Sequence, residues 1–390
     1  MTTTVTVVGA GCMGASVAYH LLRVDPTVDV EVIDRDLSLE RSSTIRSDGN
    51  VRVQFDLEEN IAISLYALEV LERFGDEMAV GDHRPNVAMK KQGNLFLIEA
   101  DGENGARQAM ERQRRLGARV EWLDGDEIAD RYPPLASDRF VGGTLGPDDG
   151  SVDPGAVVAG YRRKAESMGA RFVEADVESL VSQGGRVAGI RLADARERRS
   201  DVVVVCAGAW SPELLESADI SIPVEPVMRT VYVVSTDVAG DLDLPSVFLP
   251  SGVYLIPEHR DTFLIAWSKE DDPIGFDFTP ADRDRFYDLI WPELVAALPA
   301  FDRLEVKRSW AGLYAQNRLD ANAIVGEWPG LDGLYMATGF SGHGFQQCHA
   351  VGRYLAEKTL GLEPFLDLSR FGPGRILSGE PVFEHAGRII

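Results

Sequence analysis

The sequence predicts an α/β protein. A dinucleotide-binding domain with a parallel sheet is expected to carry an inserted second domain, α+β in character and built on an antiparallel sheet. Three observations predict it. The chain opens on a short apolar strand, a glycine turn and a helix. The stretch "DVVVVCAGAWS" at 201–211 is an uninterrupted apolar strand of the kind buried in parallel sheets. Between about 216 and 322 the strands "RTVYVV", "GVYLIP" and "TFLIAW" follow one another with one helix, near 280–298. A chain of 390 residues is also long for a single core.

The opening unit is specific in its details. Thr4–Val8 reads as a strand, Gly9–Gly14 as a G-x-G-x-x-G turn, and Ala15–Arg23 as a helix with small Ala18 on its inner face. Gly9 permits the tight turn, Gly11 lets a pyrophosphate approach the backbone, and Gly14 with Ala18 lets the helix lie close on the sheet. A second strand, Val28–Ile33, ends at Asp34. An acid about 20 positions beyond the last glycine accepts a hydrogen bond from a ribose hydroxyl. Strand, turn, helix, strand and acid together predict a bound dinucleotide, with its phosphates at the helix N-terminus.

The next segment distinguishes a nicotinamide from a flavin. No further β-α unit follows; residues 36–60 run through "DLSLERSSTIRSDGNVRVQFDLEEN", polar and rich in Ser and Arg. Such a segment suits an extended crossing from ribose to isoalloxazine, as in FAD-binding domains of the glutathione-reductase type. Asp56 and Glu59 have capping-box spacing. Leu57, Ile61, Leu65, Leu68 and Leu71 then fall on one helical face, with Gly75 as the expected stop. A charged helix is expected near 103–116 and a short one in "LDGDEIADRYPPL". "DDGSVDP" at 148–154 reads as a turn capping a helix over about 155–168. "ARFVEADVESLV" and "GRVAGIRLADAR" read as strands around a Gly-Gly turn. The last pattern, "GLYMATGFSGHGFQQCHAVGRYLAE" at 333–357, is again strand, glycine loop and helix. A second helix N-terminus of this kind suits an electron-rich group, such as the N1–C2=O edge of a flavin. The expected division is a discontinuous FAD-binding domain of residues 1–80, 146–215 and 323–390, and a substrate domain of 81–145 and 216–322.

Composition narrows the partners. The formal net charge is -23, which disfavours nucleic acid. The three cysteines, Cys12, Cys206 and Cys348, form no CxxC pair and their count is odd. This disfavours a disulfide framework or a metal site and favours a reducing, cytoplasmic setting. His343, Cys348 and His349 are not read as metal ligands, because the adjacent pair diverges on a helix. No apolar run reaches the ~20 residues that cross a bilayer.

In order along the chain, "GAGCMG", "SDGNVRVQF", "GSVDPGAVV", "VVVVCAGAWS", "GVYLIP", "WAGLYAQNRLDANAIVG" and "GFSGHGF" resemble the FAD-dependent D-amino-acid oxidase/sarcosine oxidase superfamily. The resemblance spans nearly the whole chain and points to the branch of sarcosine oxidase β-subunits, dimethylglycine dehydrogenases and related FAD-dependent oxidoreductase-domain proteins. It implies hydride transfer from the carbon beside an amine nitrogen to flavin N5, giving an imine that hydrolyses. It places Gly9, Ala10, Gly11, Cys12, Met13, Gly14, Asp34, Arg35, Ser43, Thr44 and Arg52 on the FAD. Val177, Ala207 and Gly208 join them, as do Gly342, His343, Gly344, Phe345 and Gln346. Arg52, Tyr254, Tyr314, His343 and Gln346 are the candidates for the substrate. Where relatives attach flavin covalently through a cysteine or a histidine, this chain has Gly312 and Arg46 or a neighbour of it, so noncovalent FAD is expected. Where sarcosine oxidases carry a lysine that helps oxygen react, this chain has Leu264, with Lys269 nearby; a second, carboxylate-binding lysine is replaced by Gln346. The expected partners are therefore a small amine or amino acid and oxygen or another electron acceptor, with an oligomer or heteromer open. Three alternatives remain: a dehydrogenase subunit using a non-oxygen acceptor, a non-catalytic FAD-domain assembly factor, and an NAD-dependent dehydrogenase.

Overall fold

The computed structural model describes residues 2–236, 244–259 and 261–384; the ends of the expected FAD-binding segments, residues 1 and 385–390, and residues 237–243 and 260 of the expected substrate segment lie outside them. Two large sheets organise the chain. The six-stranded sheet has the order Ile324–Glu327, Leu334–Thr338, Val202–Val205, Thr4–Val8, Asp29–Asp34, Arg171–Glu174. Every neighbouring pair in it is parallel except the first, which is antiparallel. Val5, Val7, Val30, Val32 and Val202–Val205 are all buried, because helices cover this sheet on one face and other strands on the other. The helix Cys12–Val24 packs beside Gly344–Thr359 and Pro154–Met168. Its crossing with Gly344–Thr359 is close: a Cβ on Gly352 would come within 2.3 Å of the Ser16 hydroxyl.

The eight-stranded sheet takes strands from two regions: Asn94–Ile98, Glu121–Asp124 and Gly142–Gly146 from one, and five strands between Val224 and Asn317 from the other. It is antiparallel apart from one parallel joint, where Ser246–Phe248 meets Asn94–Phe96. The joint is parallel because it stitches two strands from distant parts of the chain, where no hairpin dictates direction.

Several elements differ from the sequence reading. The first helix begins at Cys12, three residues early, since the glycine turn passes directly into it. The capping box at Asp56 and Glu59 does not form. Leu57 is the N-cap, and Asp56 instead pairs with Arg112 while its N–H donates to Glu384. That helix also runs through Gly75 to Glu77, where no αL stop exists. The run 170–181 divides into Arg171–Glu174 in the parallel sheet and Val177–Gln183 in a separate three-stranded sheet. The helix near 280–298 is interrupted by a π turn at Phe286–Ile290, just before Pro292 removes a helical donor.

No helix among the described residues is long and apolar enough to cross a membrane.

Candidate active site

The carboxyl ends of the parallel strands face the eight-stranded sheet across a cavity of ≈ 1080 Å³. This exceeds the roughly 300–1,000 Å³ of ordinary small-ligand clefts and suits a long ligand. Val8–Gly9, Ile33–Asp34, Cys206–Ala207 and Ala337 line it from the parallel sheet. Arg229, Tyr254, Trp267, Gly312 and Tyr314 line it from the other.

At one end is the glycine turn. Gly9 has φ +107, and a Cβ there would lie 2.3 Å from the Cys206 carbonyl. A Cβ on Gly14 would fall 1.9 Å from the Gly9 carbonyl. Both positions thus tolerate no side chain. The Asp34 carboxylate accepts from Ala10 N at 2.7 Å and Asp36 N at 3.1 Å, and burial raises its pKa. Thr44 Oγ1 accepts from Cys12 N at 3.1 Å. Gly9, Gly11, Cys12, Met13, Asp34, Arg35, Ser43, Thr44, Val177, Ala207 and Gly208 all line the cavity. Ala10 and Gly14 do not. The first holds Asp34 through its N–H and the second brings helix against turn.

The crossing segment is stapled to the eight-stranded sheet. Ser43 donates to Leu313 O at 2.6 Å, Arg46 to Ala311 O at 2.7 Å, and Trp310 Nε1 to Arg46 O at 3.0 Å. Trp310 is half-buried and serves as one of these staples. Gly312 sits against Arg46, whose Cβ would be 3.0 Å from an added methyl.

At the far end, the second glycine loop approaches the same space. Gly342 has φ +102, and a Cβ on it would lie 2.6 Å from the Tyr314 ring. The helices that start at Cys12 and at Gly344 both lack a side-chain cap, and the residues opening each line the cavity. Although Cys12 N–H is taken by Thr44, the remaining first-turn N–H groups and the positive dipole ends at these two places favour electron-rich ligand groups.

A smaller cavity of ≈ 60 Å³ adjoins this end, sharing Tyr254, Tyr314, Gly342 and Phe345 with the larger. All five residues expected at the substrate, Arg52, Tyr254, Tyr314, His343 and Gln346, line it. Arg52 is buried, its guanidinium over the Phe55 ring at 4.7 Å and its Nη2 3.2 Å from His343 Nε2. Burial and the neighbouring Arg52 hold His343 down to about 3. The neutral ring must therefore accept at Nε2 and carry its proton on Nδ1. Gln346 is less free than the sequence suggests. Its Oε1 accepts from Arg52 N at 2.9 Å and its Nε2 donates to Ser64 Oγ at 3.2 Å.

Some lining residues escaped the sequence reading. Arg229 lies over the Tyr314 ring at 5.2 Å and is held by Asp272, which also holds Arg285. Trp210 stacks with Phe276 at 5.1 Å near Arg35. Asp48 accepts from the Tyr254 hydroxyl at 2.8 Å. The alternation of "RTVYVV" could have flagged Arg229 as facing one side of its strand. Asp48 had no signal beyond its place before a glycine. Cys348 and His349 are buried in the core, where His349 Nδ1 meets Tyr161 OH at 2.7 Å. No group of residues able to hold a metal ion occurs among the described residues.

Residues 4–358 match the DAO family model, described as FAD dependent oxidoreductase, and the chain belongs to that family, which binds FAD. "FAD-dependent oxidoreductase domain-containing protein 1" of Bos taurus is 32% identical over 98% of this chain and 86% of its own length. Monomeric sarcosine oxidase of a Bacillus strain is 26% identical over 95% of each. The crystal structure of L-proline dehydrogenase from P. horikoshii superposes with a TM-score of 0.86 at 25% identity, covering 98% of this chain and 99% of that one. The residues present fit a dinucleotide. The cavity runs from a ribose-type acid and a side-chain-free turn to a second uncapped helix. A Cβ on Gly208 there would meet no protein atom.

Proposed function

We propose that the protein oxidises the C–N bond of a small amine or amino acid, giving an imine that hydrolyses, with FAD held noncovalently in the large cavity. FAD, when bound, supplies the hydride acceptor. Asp34 would hold its ribose, the turn from Gly9 to Met13 its pyrophosphate, and the loop from Gly342 to Phe345 the electron-rich edge of its ring. Arg35, Ser43, Thr44, Val177, Ala207 and Gly208 would complete the wall.

The chain's own residues bind and orient. Arg52 offers a buried guanidinium fork to a substrate carboxylate, and such a charge pair is strong because water is excluded. His343 and Gln346 act on Arg52 rather than on the substrate, one accepting from its side chain and the other from its backbone. Tyr254 and Tyr314 wall the cavity and keep it dry. The observation that carries this reading is the convergence of five residues, separated by up to 294 positions, on one cavity beside the second glycine loop. Similarity to proteins named sarcosine oxidase and proline dehydrogenase supports an N-substituted or cyclic amino acid.

A second reading concerns the acceptor. Leu264 is buried, Lys269 stacks over Trp267 at 4.5 Å, and no lysine lines either cavity among the described residues. This favours a dehydrogenase that passes electrons to something other than oxygen.

An anaerobic screen of amines and amino acids, followed by flavin absorbance, tests the activity. Bleaching by an N-methyl or cyclic amino acid is expected. A flavin that no amine bleaches would contradict the reading and favour a non-catalytic role in assembly. Steady oxygen consumption with the bleaching substrate would contradict the second reading.

A further inference from the structure

We infer that Asp48 is the anchor for the substrate's protonated amine, so that the small cavity selects zwitterions over anions of the same shape; this rests on the amino-acid reading above. Among the described residues that line the small cavity, Asp48 is the one carboxylate and Arg52 the one guanidinium. His343 is neutral there, as its lowered pKa and its contact with Arg52 require. The cavity thus presents one negative and one positive group, the charge pattern of an amino acid.

The carboxylate is held in place. Its Oδ1 accepts from Asn50 N at 3.0 Å and its Oδ2 from the Tyr254 hydroxyl at 2.8 Å. It forms no ion pair among the described residues, unlike the buried Asp272 and Asp320, which are each tied to arginine. Each carboxylate oxygen accepts two hydrogen bonds, so a lone pair on each remains for an ammonium N–H. Asp48 lines both cavities, which places it where the substrate space meets the large one. The rest of that boundary is uncharged, with Arg52 on the small-cavity side of it and Arg46 and Arg229 on the large. A free anion would therefore be attracted from either side of it. A carboxylate at the junction repels a simple anion and accepts only a ligand that brings its own positive charge.

The test separates charge from shape. FAD-loaded protein is reduced chemically beforehand, so that no hydride can leave a ligand, and equilibrium binding is measured by calorimetry. The probes are two isosteric pairs: N-methylglycine against methoxyacetate, and L-proline against tetrahydrofuran-2-carboxylate. In each pair an ammonium is replaced by an ether oxygen. Wild type is expected to favour the zwitterion of at least one pair by ten-fold or more. Asp48→Asn, which keeps an acceptor for Asn50 N–H and a polar partner for Tyr254, is expected to reduce that preference to within about two-fold, by weakening the zwitterion and easing the repulsion of the anion. The inference is overturned if wild type shows no preference in either pair or binds none of the four. It is also overturned if Asp48→Asn weakens both members equally, or leaves the preference intact. A protein that prefers zwitterions by way of Asp48 yet is bleached by no amine would sink the proposed activity and leave this inference standing.

Discussion

Burial makes the Arg52 guanidinium strong for a carboxylate and dependent on its neighbours. Arg52→Met should lower kcat/KM for an amino-acid substrate by roughly 30-fold to several thousand-fold, the equivalent of about 2–5 kcal/mol for an unpaired buried partner. Arg52→Lys should recover part of it, since the charge remains and the fork is lost. An equal loss for an amine without a carboxylate would contradict the assignment. His343, held near 3, stays neutral throughout the working range. The pH profile of kcat/KM should therefore contain no inflection between pH 5 and 8 that His343→Gln removes. Asp149 lies behind Arg52, fully buried, accepting from Val53 N and Gln54 Nε2, and desolvation raises it to about 7. Unfolded, it would ionise near 3.9. Between those values the folded chain holds a proton that the unfolded chain has lost, so stability falls as pH rises from about 4 to about 7 and is level beyond. In Asp149→Asn the stability difference between pH 5 and pH 8, measured by denaturant unfolding, should shrink by an amount on the order of a few kcal/mol. An unchanged difference would show that Asp149 does not carry that slope.

Two glycine loops, each opening a helix, frame the cavity at the scale of elements. Gly14→Val places carbon atoms where the Gly9 carbonyl already lies, and should give folded protein that purifies without yellow colour. Gly342→Ala demands φ near +102 of an alanine and presses its methyl on the Tyr314 ring. It should cost about 2 kcal/mol or more, read as a lower unfolding midpoint and weaker FAD retention. These loops were legible in the sequence because glycine spacing and flanking apolar strands are local signals. The helix from Glu58 was legible in its apolar face but not in its start. Asp56 has cap chemistry, yet Arg112 and Glu384, remote in sequence, take its side chain and its N–H. The break at Ala175–Asp176, where one apparent strand becomes two in different sheets, arises from pairing with distant strands, which no window of sequence contains. Asp48 and Arg229 were missed for the same reason. Their importance comes from what the eight-stranded sheet brings opposite them.

Over the whole molecule, a chain of net charge -23 carries a cavity lined by Arg35, Arg41, Arg46 and Arg229. Asp34, Asp36, Glu40, Asp48, Asp176, Glu178 and Glu213 line it too, so the arginines offset the negative field locally without reversing its sign. The order of the sequence motifs along the chain revealed the family. The opposition of the two sheets, which turns those motifs into one cavity, is a property of the fold alone. The cysteines that line the cavity, Cys12 and Cys206, are both buried against the parallel sheet, and Gly312 faces Arg46. FAD should accordingly pass into the supernatant when the protein is precipitated with acid; yellow colour retained in the pellet would reveal a covalent bond. One long ligand is thus expected to span the space between the first glycine turn and the last. A crystal structure of the yellow protein tests it most directly. Density for FAD is predicted to run from Asp34, past Gly11, to the loop at Gly342–Phe345, with no bond to any side chain. A nicotinamide in that groove, or FAD bound away from either loop, would contradict the account.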